Sequence, residues 1–424
     1  MKDNATDPLI DVAQLKVGMF IHLDLGWMSH PFPLSSFKLS SEDQLLVLRR
    51  LGLKQVRWSP AKSELPDDAP PAPAVAAPAN PELSPEQQQK EAHRKALAAQ
   101  REALSLCEKQ YAEAATAFKN IVDLVPREPV HSRDQSTALV SALLDKMLVE
   151  GDLNIRLLNE GAGDRGTAHA LNVSIISLLL GRAFGLGREE MMDLGVGALL
   201  HDIGKLELPP RLRHRDESFT SAESQVYQTH VVKGVALAKQ MDLAAGPLLV
   251  IAQHHENADG SGFPQRINVD RMSAASRIVA LVNRFDGLCN PLLVSKAMTP
   301  HEALSLMFAQ GRNRFDATML NAFIRMMGVY PPGSTVQLTD DRYALVVAVN
   351  SSRPLKPRVM VHDPRVARDE ALIVNLEDHP DLGIRRSLKP GALPRASLDY
   401  LSPRARVAYF FESVAATPSG EVSV

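Results

Sequence analysis

The run Leu194–Leu200 is apolar on nearly every side and ends in His201-Asp202. Such a run reads as a buried helix. A buried helix closes on an imidazole and a carboxylate only if both find partners, because an unpaired buried carboxylate is very costly. Four further histidines, His169, His230, His254 and His255, fall in the same long helical stretch. Soluble cores rarely gather that many imidazoles, and imidazole plus carboxylate is the ligand set of iron, manganese, zinc or nickel. The chain must therefore bring distant segments to one point, and it reads first as a metal-dependent hydrolase.

With 424 residues there is length for two or three domains and a sizeable core. The expected fold is multi-domain and mainly α. Residues 1–64 read as a small α+β domain: Gly18–Leu23 alternates like a strand, Ser40-Ser41-Glu42-Asp43 carries helix N-cap chemistry, Gly52 fits a helix end and Gln55–Trp58 fits another strand. Residues 65–85 are rich in Pro and Ala, cannot pack a core and read as an extended linker. Residues 86–127 read as one long helix, with Leu97, Leu104, Tyr111 and Phe118 spaced by seven. That stripe packs either within the chain, making a connecting helix, or on a second copy, making a homodimer seam.

Residues 128–330 read as helical throughout, with segments at Ser136–Glu150, Thr167–Phe184, Arg188–His201, Ser221–Met241, Gly246–His255, Ser273–Leu288, Pro300–Gln310 and Asp316–Met327. Past Pro331-Pro332-Gly333, residues 331–424 read as a small β unit and tail, with strands at Thr335–Leu338, Tyr343–Val349, Arg358–His362 and Ala371–Asn375.

A net charge of −2 gives no electrostatic case for nucleic-acid binding. The longest apolar runs, Ile175–Leu180 and Ala344–Val349, fall far short of the ~20 residues needed to span a bilayer, so no membrane insertion is expected. The N-terminal residues carry no secretory apolar core. Cys107 and Cys289 stand far apart without a CxxC partner and read as small packed residues of a reducing compartment, the cytoplasm.

In His201-Asp202-Ile203-Gly204-Lys205, Asp202 offers two oxygens and is placed to bridge two metals, while His201 ligates one. Lys205, one turn on, lies over the same face, ready to balance phosphate charge or to protonate a leaving alkoxide. A plain helix end with an Asp202–Lys205 ion pair is the simpler reading of that pentapeptide alone. His254 and His255 point ~100° apart on a helix, so they serve different metals or one ion at the helix terminus. His230 and His169, each taken singly, are satisfied core histidines; the constellation makes them ligands. Paired metals suit in-line attack on phosphorus, so phosphoester hydrolysis is the expected reaction. Neither a Gly-x-Ser-x-Gly elbow nor a Walker loop is present.

His169, His201-Asp202-Ile203-Gly204-Lys205, His230-Val231-Val232-Lys233-Gly234 and His254-His255-Glu256 with Asp259-Gly260-Ser261-Gly262-Phe263-Pro264 resemble, in order and spacing, the HD-GYP phosphodiesterases. The block with Gly18-Met19-Phe20 and Pro31-Phe32 is similar to a domain of unknown function that often precedes that catalytic domain. The resemblance implies an HD-type helical bundle that hydrolyses cyclic di-GMP to linear dinucleotide or GMP with two or three iron or manganese ions. It implies His169, His201, Asp202, His230, His254 and His255 as metal ligands, Lys205 on the scissile phosphate, and Gly260, Gly262 and Pro264 shaping the signature loop beside the substrate. Signalling proteins are the partners it implies.

The chain departs from that pattern. Asn283, in Asn283-Arg284-Phe285-Asp286, occupies the position of the last metal-binding aspartate, and a neutral amide binds a hard cation less strongly. Asp286 is kept, in a supporting role. Arg165 stands where trinuclear members carry an acid, which argues for two metals. Phe263 replaces the signature tyrosine. Leu292 stands for an arginine that contacts the dinucleotide phosphates, while Lys296 is kept. Three readings follow: a binuclear cyclic di-GMP phosphodiesterase, a weakened or inactive regulator that binds nucleotide or a partner protein, and a hydrolase of another nucleotide.

Overall fold

The computed structural model describes residues 7–26, 30, 32, 36–64, 84–148, 151–159, 164–214, 218–311 and 313–413. The linker expected over 65–85 therefore lies almost wholly outside the described residues. The chain divides into two units, Met1–Ala92 and His93–Val424.

The first unit is a four-stranded antiparallel sheet in the order β1 (Leu9–Asp11), β4 (Gln55–Ser59), β2 (Phe20–His22), β3 (Ser36–Lys38), with helix α1 (Glu42–Arg50) between β3 and β4. Ser41 caps α1 by accepting from the Gln44 N–H. Leu45 and Leu48 of α1 join Ile21, Leu39 and Val56 in one core. Both expected strands and the expected helix are present.

Helix α2 (Pro85–Leu124) begins in the first unit and runs from His93 onward in the second, with Cys107, Tyr111, Ala114, Phe118 and Ile121 buried, and α3 (Pro129–Met147) follows. Then comes β5 (Leu153–Leu157), a fully buried strand inside the stretch expected to be helical throughout. It pairs with β7 (Tyr343–Asn350) on one side and β11 (Tyr409–Ser413) on the other. The complete order is β10 (Ile384–Leu388), β6 (Thr335–Leu338), β7, β5, β11, with β8 (Arg358–Val361) also on β7 and β9 (Ile373–Asn375) on β8, all antiparallel. The C-terminal strands are thus completed by a strand from before the helical core. Arg156 and Asn154 face inward from β5, and both are bonded to Glu412, with Arg156 Nη1 3.0 Å from each carboxylate oxygen.

The helical core holds α4 (Arg165–Ala183), α5 (Arg188–Leu200), α6 (Ser221–Gln228), α7 (His230–Gln240), α8 (Ala245–Gln253), α9 (Ala274–Cys289), α10 (Pro300–Gln310) and α11 (Ala317–Met327); α12 (Arg395–Leu401) lies near the end of the chain. α5 packs on α3, α4 and α8, and α4 on α9. The single helix expected over Ser221–Met241 is broken at Thr229. Thr229 Oγ1 donates to the Val226 carbonyl at 2.7 Å and His230 Nδ1 to that of Tyr227 at 2.6 Å, so side chains take carbonyls that the helix ladder uses elsewhere.

Candidate metal centre

Each of His201, His230 and His254 turns back on its own chain. Their Nδ1 atoms lie 2.7, 2.6 and 2.8 Å from the carbonyls of Ala198, Tyr227 and Ile251, three residues earlier in each case. A carbonyl only accepts, so each ring carries its proton on Nδ1 and turns the Nε2 lone pair toward the cluster. Sequence makes this possible by setting each histidine at a helix end, where carbonyls lack helical partners. The C-termini of α5 and α8 point at the same place, and a helix C-terminus favours a cation.

Asp202 lies between two groups of rings. Its Oδ2 is 3.4 Å from both His169 Nε2 and His201 Nε2; its Oδ1 is 3.5 Å from His230 Nε2 and 3.7 Å from His254 Nε2. His255 joins the second group, so both adjacent histidines serve one side, at the end of α8. Lys205 Nζ also pairs with Asp202, so the ion pair of the simpler reading exists within the larger cluster. Burial raises the Asp202 carboxyl, but the Lys205 ammonium together with His201 and His169 outweighs it and holds the pKa well below the usual range.

These atoms test whether a cation fits. His230 Nε2 and His254 Nε2 are 3.3 Å apart and both face Asp202 Oδ1. All three are acceptors, and no donor among the described residues lies between them. Asp202 Oδ1 and His255 Nε2 are buried without a hydrogen bond. Burial pulls His230 down to about 4 and holds His254 and His255 well below the ordinary imidazole value, which keeps these rings neutral. Neutral imidazoles and a carboxylate converging through lone pairs fit divalent cations.

His169 is set differently. Its Nδ1 meets Asp286 Oδ2 at 2.6 Å. Burial lowers this ring's pKa, but Asp202 and Asp286 outweigh it and raise it to about 9. A carboxylate behind an imidazole orients the ring and makes it a better donor.

A cavity of about 1220 Å³ opens over the cluster. His169, Asp202, Lys205, His254, His255, Gly262, Asn283 and Lys296 line it, as do the guanidinium-bearing Arg165, Arg213, Arg284 and Arg314. Gly260 and Pro264 do not line it; they lie in the adjacent loop. Glu256 holds that loop, accepting from the Gln265 and Arg266 N–H groups at 2.7 and 3.1 Å. Gly262 is required by close approach, since a Cβ there would meet Asn257 N at 2.4 Å. Phe263 stacks on His255 at 4.5 Å.

Sequence reasoning missed Tyr227, whose ring lies 4.8 Å from that of His230 and 5.4 Å from Lys205 Nζ. It also missed Asn172 and Asn290, which hold Asp286. Lone polar residues on apolar helices carry no motif, so only their improbability in a core marked them. Cys107 and Cys289 are free and buried, and burial pushes both thiols up, Cys107 to about 12.

An aspartate shared by two groups of histidines in a helical core, under a cationic cavity, is the build of an HD-type metal-dependent phosphohydrolase. Residues 153–319 match the HD domain family, and residues 9–135 match a domain of unknown function (DUF3391). The chain thus carries an HD domain preceded by a DUF3391 domain. It is 27% identical to a cyclic di-GMP phosphodiesterase of Pseudomonas aeruginosa over 83% of this chain and 84% of that one. It is 26% identical to a 3'3'-cGAMP-specific phosphodiesterase of Vibrio cholerae over 37% of this chain and 30% of that one. Among solved structures, an HDG"Y"P protein from Bdellovibrio bacteriovorus aligns over 74% of this chain and 97% of that one, with a TM-score of 0.41 and 16% identity. No helix among the described residues is long and apolar enough to cross a membrane.

Proposed function

We propose that this protein hydrolyses cyclic di-GMP to the linear dinucleotide or GMP, using two divalent ions of iron or manganese. The observation that carries the reading is Asp202, each of whose oxygens faces its own set of imidazole nitrogens beneath a cavity rich in guanidinium groups. His169, His201 and Asp202 would hold one ion; Asp202, His230, His254 and His255 the other; Asn283 is the weakest donor of the set. When bound, such ions make water nucleophilic at neutral pH and offset charge on phosphorus oxygens.

The chain's own groups do the rest. Lys205, fixed beside Asp202 and against the Tyr227 ring, offers an ammonium to the scissile phosphate or a proton to the leaving oxygen. The Nδ1 bonds to carbonyls and to Asp286 keep the rings from turning. Gly262, Phe263, Leu292 and Lys296 all line the cavity. The cavity exceeds the usual 300–1,000 Å³ of a small-ligand pocket, which suits two nucleotides better than one.

Asn283 on the cavity wall favours a second reading, a regulator of reduced activity that signals to partner proteins in the cytoplasm. The apolar stripe of α2 is spent partly within the chain, Tyr111 meeting Phe410 edge-on at 6.3 Å, which favours a connecting helix over a homodimer seam. Elemental analysis of anaerobically purified protein, paired with cyclic di-GMP turnover, separates the readings. Bound metal with product supports the enzyme. No product with iron or manganese ends it, and turnover confined to another nucleotide moves the substrate.

A further inference from the structure

Arg165 and Arg406 bond to the two ends of one short segment of chain. Arg165 Nε and Nη2 donate to the Asn290 carbonyl at 3.2 and 3.1 Å. Arg406 Nη2 donates to the Leu292 carbonyl at 3.3 Å. Neither guanidinium pairs with a carboxylate among the described residues. Burial and the Arg406 charge draw Arg165 below the ordinary guanidinium value despite the attraction of Asp286 and Asp202, and a like-charged pair with no carboxylate bonded to it leaves a place for an anion.

Three further features make this a built site. Arg165 lines the cavity over Asp202. Its Nη1 is buried without a hydrogen-bond partner, which is costly for a charged donor. Arg406 is held by its neighbour: the Asn290 side chain accepts from the Val407 N–H at 2.9 Å and donates to the Val407 carbonyl at 3.0 Å. Val407 leads into β11, which is locked in the sheet. Both arginines thus stand on fixed backbone, one bonded at each end of the segment Asn290–Leu292, of which Pro291 and Leu292 line the cavity with Arg165. His214, on the cavity wall, is pulled down to about 4, first by burial and then by Arg165 and Lys205, which marks the same region as cationic.

We infer that Arg165 and Arg406 form an anion subsite for a phosphodiester of the substrate distinct from the one cleaved over Asp202. The inference rests on the proposed function insofar as it takes the anion to be the second phosphate of a cyclic dinucleotide. Arg165 and Arg406 act as specificity-determining residues: they grip what lies away from the reacting phosphorus.

The test uses the full chain and the variants Arg165→Gln, Arg406→Gln, the double variant and Arg165→Lys. Cyclic di-GMP binding is measured by calorimetry, and turnover is measured on cyclic di-GMP and on bis(p-nitrophenyl) phosphate, which has one phosphodiester. Each Gln variant should weaken cyclic di-GMP binding and raise its KM about ten-fold, the double variant more, with a much smaller change in kcat. The loss on bis(p-nitrophenyl) phosphate should be smaller, metal content should hold, and Arg165→Lys should recover part of the affinity. Inorganic phosphate should compete only weakly; equal competition by inorganic phosphate overturns the assignment to a dinucleotide. Unchanged binding in the double variant, equal loss on both substrates, or loss of metal overturns the subsite. A wild-type protein that cleaves bis(p-nitrophenyl) phosphate but binds no cyclic di-GMP defeats the substrate reading instead. The same variants against inorganic pyrophosphate then decide the subsite: weakened binding supports it, unchanged binding removes it.

Discussion

Asp286 Oδ2 lies 2.6 Å from His169 Nδ1, and Asp286 Oδ1 takes the side-chain amides of Asn172 and Asn290 at 2.7 and 2.8 Å. Those two amides also donate to the Val407 carbonyl, each at 3.0 Å. One carboxylate thereby ties a candidate metal ligand on α4 to α9 and to the entry of the last sheet strand.

That hub should be needed for metal as well as stability. Asp286→Ala leaves His169 without its orienting carboxylate and two buried amides short of a partner. Removing an outer carboxylate of this kind typically weakens metal binding ~10–100-fold. The loss of the Asp286 acceptor, with each amide keeping only its bond to the Val407 carbonyl, should add a loss of roughly 3 kcal/mol in stability. Asp286→Asn keeps an acceptor for the amides, so it should melt closer to wild type while still losing metal. Metal titration and thermal melts of both variants check this. Full metal affinity in Asp286→Asn would show that His169 is not a ligand.

Among the described residues, Asp202 is the only carboxylate shared by both sets of rings. Asp202→Ala should abolish turnover and metal retention together, because each half of the cluster loses its shared anion. It also frees Lys205 from its partner, which adds repulsion toward any cation placed there. Elemental analysis after desalting is the readout. Retention of two ions per chain would refute the bridging role.

Much of this was legible because His201, His254 and His255 follow the last residue of a helix, where apolar periodicity stops and polar residues show, whereas His169 lies inside α4 and His230 opens α7. His201 after Leu200 and His254 after Gln253 are examples. β5 was not read as a strand. Leu153, Ile155 and Leu157 do alternate with Asn154 and Arg156, but five residues between long helices give a weak period. Both polar residues are buried rather than exposed, so the alternation does not mark a solvent face. The break at Thr229 was also hidden, since Ser221–Met241 keeps helical spacing throughout; the side-chain bonds of Thr229 and His230 that interrupt it are a matter of geometry. Asp286 was read as a supporting residue from the resemblance alone. Its partners, Asn172 and Asn290, become visible only when α4 and α9 are set side by side.

Gly204 explains the close fit of the turn after Asp202 against α7. A Cβ on residue 204 would lie 2.0 Å from the His230 carbonyl oxygen and 2.3 Å from the Gly234 nitrogen. Both obstacles are backbone, so they cannot swing aside. Gly204→Ala should push α7 away, costing about 3 kcal/mol or more, and should move His230 out of the cluster. At this size that is a fall in Tm of roughly 4 °C or more. A melt within about 2 °C of wild type would mean that the turn does not pack so tightly in solution.

Asn283 poses the remaining question of whether the chain's departures weaken its metal site. It lines the cavity from α9, one turn before Asp286, and Arg284 and Arg165 line the cavity too. Carboxylates bind hard divalent ions better than amides do. Asn283→Asp should therefore raise metal occupancy or leave it unchanged, and slow metal loss to a chelator. Occupancy by elemental analysis and the rate of release to EDTA measure both. A fall in occupancy would mean that residue 283 does not face the metals, and the loss of an acid there would then say nothing about activity.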